Sequence, residues 1–250
     1  MDSIRRQLLA GIPLLGAGAL LVGCRATGPG SGGASHEVGR GSATTLASEA
    51  ELTATEDLMR EHGILRRALL VYRESAAKMR HDVASVPIDA LEKTAQLFRV
   101  FGEDYHERKL EESFIFPSLK RTKSAAAGYV DVLTAQHGRG REITDYILAM
   151  TAGDHLPAQR ADEFINALES FVRMYEHHAT VEDTLVFPVW KNSISQDEFD
   201  ELGARFEEIE EEQFSEDGFE AALRRMAEIE ESLGLTNLET FTAPPPPGTR

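Results

Sequence analysis

Four long stretches of the chain repeat apolar residues every three or four positions, and only short breaks separate them. This spacing places the apolar side chains on one face of a helix. Breaks such as VASVP and TAGDHLP leave room for a turn but not for another element, so neighbouring helices must run antiparallel. The pattern predicts an all-α fold, an up-down-up-down four-helix bundle whose helices span about 51–81, 88–120, 124–150 and 158–191.

Two shorter helices are predicted after the bundle, at about 196–212 and 218–233, so the fold is a bundle with two additional C-terminal helices. Residues 197–220 contain twelve acidic side chains and one basic side chain, within a chain of net charge -16. Such a negative surface disfavours nucleic acid as a partner. We expect the bundle to occupy 49–192, an acidic helical extension 193–240 and a Pro-rich tail 241–250.

The N-terminus has the features of an export signal. Arg5 and Arg6 precede an apolar, Gly-rich run at 8–23 that is too short and too rich in glycine for a good membrane-spanning helix. The run ends in LVGC, which resembles the lipobox of bacterial lipoproteins, and Cys24 is the only cysteine. We therefore expect an export signal at 1–24, a flexible linker at 25–48 and a lipid anchor at Cys24 that holds the protein in the cell envelope, on the periplasmic side. The alternative is an ordinary cleaved signal with an incidental cysteine.

The bundle sequence looks duplicated. DYHERKLEESFIFPSLK and MYEHHATVEDTLVFPVWK share an order of tyrosine, histidine, acidic pair, apolar run and Phe-Pro, and each follows a helix that contains REHGILRR or AQHGRGRE. His62 precedes His106 by 44 positions, and His137 precedes His178 by 41. One histidine per helix can converge on the bundle axis, and acidic residues would join them. That composition indicates a metal site.

Helical geometry selects among the candidates on the fourth helix. His178 and Glu182 are four positions apart, so both can face one centre. His177 lies five positions before Glu182, which is less favourable in a regular helix, and we keep it as a weaker candidate. Asp183 is expected to face away or to orient a ligand.

The second helix fits less well, because His106 and Glu111 are five positions apart. A one-residue π-bulge between them would return both side chains to one face, and such bulges are frequent at functional sites. Glu107 is the alternative carboxylate on this helix.

Four segments, REHGILRR, YHERKLEESFIFP, AQHGRGRE and MYEHHATVEDTLVFP, together resemble the hemerythrin-like, or HHE cation-binding, family. The resemblance implies a four-helix bundle around a non-haem centre of two iron ions. Some members of the family carry oxygen, and these have a second histidine on the third helix, one turn after the first. This chain has Arg141 at that position and so departs from the oxygen-carrying members. Carried onto this sequence, the implied ligands are His62, His106, Glu111, His137, His178 and Glu182.

Imidazole and carboxylate ligands also accept Mn(II) or Zn(II), so iron is an expectation from the resemblance. Apolar walls would limit access of water to the centre, with Leu65, Phe101, Leu110, Leu133 and Phe171 as candidates. We expect a binding module that binds or senses dioxygen or nitric oxide, or that buffers iron, rather than an enzyme. The alternatives are an enzyme acting on peroxide or nitric oxide at the same centre, and a helical interaction protein with a degenerate metal site.

Overall fold

The helices account for most of the chain that the computed structural model describes, which comprises residues 52–153, 155–215, 217–235 and 241–247. Within these residues the fold is all-α, without strands, as predicted. The helices are α1 (Ala54–Met79), α2 (the consecutive segments Ile88–Leu97, Phe98–Ile115 and Phe116–Lys120), α3 (Val130–Thr151), α4 (the consecutive segments Ala161–Val181, Glu182–Val186 and Phe187–Ser193), α5 (Gln196–Phe214) and α6 (Gly218–Ser232).

Side-chain caps fix where several helices begin. Thr53 and Glu56 form a reciprocal capping box at the start of α1, where each side chain accepts a hydrogen bond from the other residue's backbone N–H. Ser195 caps α5 and Asp217 caps α6 with a single hydrogen bond each, which the side chain accepts from the backbone N–H three residues later. These caps satisfy N–H groups that a helix leaves without partners.

Four helices enclose the core. Helix α1 packs against α4, α2 packs against α3, and the two pairs close a ring through α1–α2 and α3–α4 contacts. The interior contains fully buried aromatic side chains together with aliphatic residues, including every apolar wall residue that the sequence suggested: Leu65, Phe101, Leu110, Leu133 and Phe171. The predicted up-down bundle is therefore present, and its helices start and end close to the predicted positions.

Helices α5 and α6 pack along α1 and α2. Phe206 is buried and stacks on Trp190, and Phe214 packs edge-on against Tyr105 in α2. Arg67 of α1 forms a bidentate ion pair with Glu230 of α6. Its Nε donates to Oε1 at 2.8 Å and its Nη2 donates to Oε2 at 2.6 Å. Both predicted C-terminal helices thus turn an aromatic or apolar face toward the bundle, and their acidic residues remain mostly outside.

Two segments depart from α-helical hydrogen bonding. The stretch Phe98–Ile115 in α2 and the stretch Glu182–Val186 in α4 are π-helical. At the end of each, the N–H of Phe116 or Phe187 donates to the carbonyl oxygen five residues earlier, that of Glu111 or Glu182. The prediction of a single bulge in α2 was too short, and the sequence did not predict the π segment in α4.

Residues 1–51 are not among those described, so the predicted export signal, the linker and Cys24 lie outside the described residues. The described part of the tail, 241–247, is exposed and contains no helix. None of the helices in the described ranges has an apolar stretch long enough to cross a membrane.

Candidate metal centre

Six side chains from four helices meet at one level of the bundle. Helices α1 and α3 each contribute a histidine, and α2 and α4 each contribute a histidine and a glutamate. All six are at least 97% buried, and they form two overlapping groups that share Glu111 and whose ligand atoms lie within 4.8 Å of one another. The structure brings together all six residues that the sequence singled out: His62, His106, Glu111, His137, His178 and Glu182.

The four imidazoles form two pairs. The Nε2 atoms of His62 and His106 lie 3.0 Å apart, and those of His137 and His178 also lie 3.0 Å apart. Each pair joins the first and second helix of one duplicated unit. The two pairs therefore mark two neighbouring positions for a positive ion.

Glu111 lies between the two pairs. Its Oε1 is 3.5 Å from Nε2 of His106, and its Oε2 is 3.3 Å from Nε2 of His137. The π-helical bonding of α2 explains this position, because residues five apart, such as His106 and Glu111, share a face when each bond spans five residues.

Glu182 occupies the matching place on α4. Its Oε2 lies 3.1 Å from Nε2 of His178 and 3.5 Å from Nε2 of His62, so it also contacts one histidine of each pair. No side chain or backbone group among the described residues donates a hydrogen bond to any of the four carboxylate oxygens of Glu111 and Glu182. Buried carboxylates left without donors are costly, and a bound cation would remove that cost.

The outer nitrogens of the first pair are held by acidic side chains. Nδ1 of His62 donates to Oδ1 of Asp183 at 2.7 Å, and Nδ1 of His106 donates to Oε2 of Glu61 at 2.6 Å. The hydroxyl of Tyr105 supports Glu61 by donating to its other oxygen at 3.0 Å. Each contact holds Nε2 toward the centre and keeps a proton on Nδ1, so that loss of any proton on Nε2 gives the tautomer that a metal ligand requires.

The second pair is held in the same manner. Nδ1 of His137 lies 2.8 Å from Oε1 of Glu112, and Nδ1 of His178 lies 2.9 Å from Oε1 of Gln136. Every histidine is thus oriented by a side chain of a neighbouring helix, and the four contacts form a ring: α1 orients α2, α2 orients α3, α3 orients α4 and α4 orients α1. Gln136 is the one uncharged member.

The two central glutamates differ in their affinity for protons. Burial raises the pKa of Glu182 well above its usual range, and the nearby carboxylate of Glu111 adds to the effect. Burial acts on Glu111 as well, but the positive charges of His106 and His137 outweigh it and hold its pKa well below the usual range. Without a metal ion, one carboxyl group therefore keeps its proton while the other is ionised.

The histidines of each pair also differ. Burial opposes charge on His137, but the negative charges of Glu107 and Glu111 and the hydrogen bond to Glu112 raise its pKa to about 10. Burial, reinforced by His137, lowers the pKa of His178 to about 3. In the first pair, burial lowers the pKa of His62, whereas Glu111 and Glu61 overcome burial and raise that of His106. The pKa shifts in each pair thus favour one protonated and one neutral imidazole.

The weaker candidates take other positions. His177 is exposed beside an open groove that Gln136 and Arg173 also line, so it does not reach the centre. Glu107 is buried next to the centre, but its Oε1 accepts from Tyr175 and its Oε2 from Arg141. Asp183 orients His62, which is one of the two roles that the sequence suggested.

A small cavity of about 10 Å³ adjoins the histidines, which is room for roughly one water molecule. His62, His106 and His178 form part of its wall. The remainder is mostly apolar, with a polar contribution from Glu107 and Tyr175, and comprises Leu65, Arg66, Leu69, Glu107, Tyr175 and Ala179. A small ligand could lie here in direct contact with the centre.

Sequence reasoning missed three orienting residues, namely Glu61, Glu112 and Gln136. The positions of these residues in the duplicated motifs could have identified them. Glu61 and Gln136 immediately precede the histidines of α1 and α3, and Glu112 and Asp183 immediately follow the central glutamates of α2 and α4. Four imidazoles, two carboxylates without donors and an orienting contact on each imidazole define a cation-binding four-helix bundle.

The chain belongs to the Hemerythrin HHE cation binding domain family, whose family model matches residues 53–190. It is 41% identical over 212 residues to uncharacterized protein Rv1995 of Mycobacterium tuberculosis (strain ATCC 25618 / H37Rv). It has the same identity to uncharacterized protein Mb2018 of Mycobacterium bovis. Each alignment covers 84% of this chain and 82% of the relative. No solved structure matches the chain significantly.

Proposed function

We propose that this protein holds two iron ions in a non-haem centre and uses them to bind or sense dioxygen or nitric oxide, or to buffer iron. The observation that carries the proposal is the set of four buried oxygens of Glu111 and Glu182, which accept no hydrogen bond from the described residues and face four Nε2 atoms. A positive ion on each side of the two carboxylates would give every one of these oxygens a partner.

The arrangement of donors supports a count of two ions. Each histidine pair offers two nitrogens, and Glu111 and Glu182 each reach both pairs. Eight donor atoms from six side chains leave coordination positions open on two ions, and iron supplies reversible redox chemistry and affinity for small ligands at such positions. Mn(II) and Zn(II) suit the same donors and are the competing ions.

The surroundings favour binding of a small ligand. The cavity beside His62, His106 and His178 has room for roughly one water molecule, so a molecule bound there must be very small and bulky substrates are excluded. Leu65 and Leu69 give it an apolar side that restricts water. These residues support a binding or sensing role in preference to turnover of a large organic substrate.

A second candidate is an enzyme that acts on peroxide or nitric oxide. The observation that favours it is the Tyr175 hydroxyl, which lines the same cavity and donates to Glu107 at 2.7 Å. This pair could hold a proton close to a bound ligand. Turnover of peroxide by the iron-loaded protein that disappears in Glu182→Ala would establish the enzyme.

Metal analysis combined with an optical spectrum tests the proposal. The purified protein, loaded anaerobically with Fe(II) and freed of excess metal, should retain two iron ions per chain, and azide should alter the visible spectrum of the oxidised form. Glu182→Gln should lose most of the iron. Glu176→Gln, which changes an exposed carboxylate on the same helix, should retain it.

Less than about one iron per chain in the folded wild-type protein would end the metal proposal, since structural and functional metal sites of this donor number retain their ions on desalting. It would leave the helical interaction protein as the surviving interpretation.

We further propose that the protein is exported and held in the cell envelope, on the periplasmic side, by a lipid on Cys24. The support is the charged and apolar N-terminal pattern and the LVGC sequence. Cys24→Ala should move the protein from the membrane fraction to the soluble fraction of the cell that produces it. Equal fractionation of both forms would contradict the anchor.

A further inference from the structure

Arg141 projects from α3 toward the centre and is largely buried, with a side chain 16% exposed. Its Nη2 donates to Oε2 of Glu107 at 3.1 Å and to Oε1 of Glu112 at 2.5 Å. Both glutamates belong to α2. A guanidinium is expensive to bury, and the two carboxylates on Nη2 offset its charge, although Nε has no hydrogen-bond partner among the described residues.

Each of the two glutamates that bind Arg141 accepts a further hydrogen bond. Glu107 also accepts from the hydroxyl of Tyr175 at 2.7 Å, and Glu112 also accepts from Nδ1 of His137 at 2.8 Å. A hydrogen-bonded chain therefore runs from Tyr175 at the cavity wall, through Arg141, to a histidine of the centre.

The same residues form a cation-binding group by geometry. Glu107, Glu112 and His137 each present a ligand atom, and these atoms lie within 4.8 Å of one another. The Arg141 guanidinium already occupies this group by bonding to both carboxylates. Glu107 differs in this respect from Glu111, whose two oxygens accept no hydrogen bond among the described residues.

The local packing is built to allow this arrangement. A Cβ atom at Gly140, the residue beside Arg141, would collide with the hydroxyl and ring of Tyr175. Only glycine lets Tyr175 approach α3 closely enough to reach Glu107.

We propose that Arg141 is a positioning residue that serves as a fixed internal cation: it holds Glu107 away from the metal ions, orients His137 through Glu112, and thereby sets the balance between ferrous and ferric iron. This inference rests on the proposed function. A permanent positive charge close to the ions disfavours the additional charge of ferric iron, and the neighbouring carboxylates favour it. Arg141 offsets part of the negative charge of Glu107 and Glu112.

Redox titration of the iron-loaded full chain against a dye mediator, which exchanges one electron per iron, tests the inference. Arg141→Met should shift the ferric-to-ferrous ratio at a fixed mediator potential by about tenfold toward ferric iron, because two carboxylates lose their cation. Glu107→Gln should shift it by about tenfold in the opposite direction, because it removes a negative charge and keeps an acceptor for Tyr175. Arg141→Lys retains the charge and should stay within about twofold of wild type.

An exposed ion pair on the same helix provides matched controls. Arg139 and Glu142 lie 2.5 Å apart, with side chains about two-thirds exposed, so Arg139→Met and Glu142→Gln should leave the ratio unchanged. If the role of Arg141 is purely structural, Arg141→Met and Glu107→Gln should shift the ferric-to-ferrous ratio in the same direction or leave it unchanged. Either result would overturn the inference.

Iron content is measured for each variant, so that the two proposals can fail separately. Wild-type protein without iron would reject the proposed function and the inference together. Wild-type protein with two irons and no opposite shifts in the variants would reject only the role of Arg141. If Arg141→Met loses its iron, Arg141→Gln, which also removes the positive charge, is measured in its place; it should shift the ratio toward ferric iron, and the absence of that shift would overturn the inference.

Discussion

His137 and His178 face each other with their Nε2 atoms 3.0 Å apart, although the first has a pKa of about 10 and the second a pKa of about 3. One nitrogen carries a proton and the other accepts it. His106 and His62 repeat the arrangement, at the same distance and with pKa shifts of opposite direction. These shifts favour one proton per pair, on a nitrogen that would have to give it up to bind a metal ion.

Metal binding should therefore release protons. At pH 7 the metal-free centre keeps one proton per histidine pair and a third on Glu182, so we expect about three protons to leave per chain. Because protons compete with the metal, the apparent affinity should rise with pH up to about 10, the pKa of His137. Calorimetric titration with Zn(II) in buffers of different ionisation enthalpy measures the number. Glu182→Gln should release one proton fewer, and a binding enthalpy that does not depend on the buffer would refute the prediction.

Glu61 tests the ring of orienting contacts. Glu61→Gln removes the charge 2.6 Å from Nδ1 of His106 and keeps the size of the side chain. We expect metal affinity to fall by about 10- to 100-fold, the range typical of residues that orient a metal ligand. Competition with a chromophoric chelator measures it. Glu176→Gln should bind metal like wild type, and an equal loss in both variants would show that Glu61 has no particular role.

Glu103 should make stability depend on pH. Burial raises its pKa from 4.5 to about 7, although the Thr144 hydroxyl donates to it and Arg99 lies 3.0 Å from its second oxygen. The native state binds this proton more tightly than the unfolded state, so the contribution of Glu103 is favourable at low pH and is lost as pH rises from about 4.5 to 7.

Glu103→Gln removes this dependence. The variant should resemble wild type near pH 5 and exceed its free energy of unfolding by up to about 3 kcal/mol near pH 8. Urea unfolding at both pH values measures the difference. The exposed Glu142→Gln is the control, and a Glu103→Gln curve parallel to wild type at all pH values would contradict the assignment.

Two glycines of α3 should respond oppositely to alanine. Gly140→Ala places a methyl group against Tyr175 and should destabilise the protein by about 1–3 kcal/mol. Gly138→Ala meets no atom within 4 Å and should stabilise it by about 0.5–1 kcal/mol, because alanine is the better helix former. Thermal unfolding of the metal-free protein separates the two. Equal effects would mean that Tyr175 can move away at no cost.

The order of the helices could be predicted from the sequence, because apolar periodicity reports directly on which face is buried. Helix α2 begins at Ile88 and ends at Lys120, as predicted. Helix α3 begins at Val130, later than expected, because Ala126–Gly128 forms a separate 3₁₀ turn that periodicity does not distinguish from a helix.

The recurrence of histidines and carboxylates in both halves of the duplication indicated a metal site, and the resemblance to the hemerythrin-like family implied the six central residues. The π segment at Glu182–Val186 could not be predicted, because His178 and Glu182 already share a face in an ordinary α-helix and their spacing does not indicate another geometry. The contact between Glu112 and Arg141 depends on side-chain reach across two helices, which spacing along one helix does not encode.

Because the orienting contacts form a ring, every helix of the bundle orients a histidine of one neighbouring helix and has its own histidine oriented by another. Sliding α1 along its axis would disturb His62, which α4 positions, and also His106, which Glu61 of α1 positions. Partial opening of any one helix would therefore release metal before the whole chain unfolds. The rate of metal release would then report on the rate at which a helix opens locally, and strengthening any of the four contacts would lengthen the residence time of the bound metal.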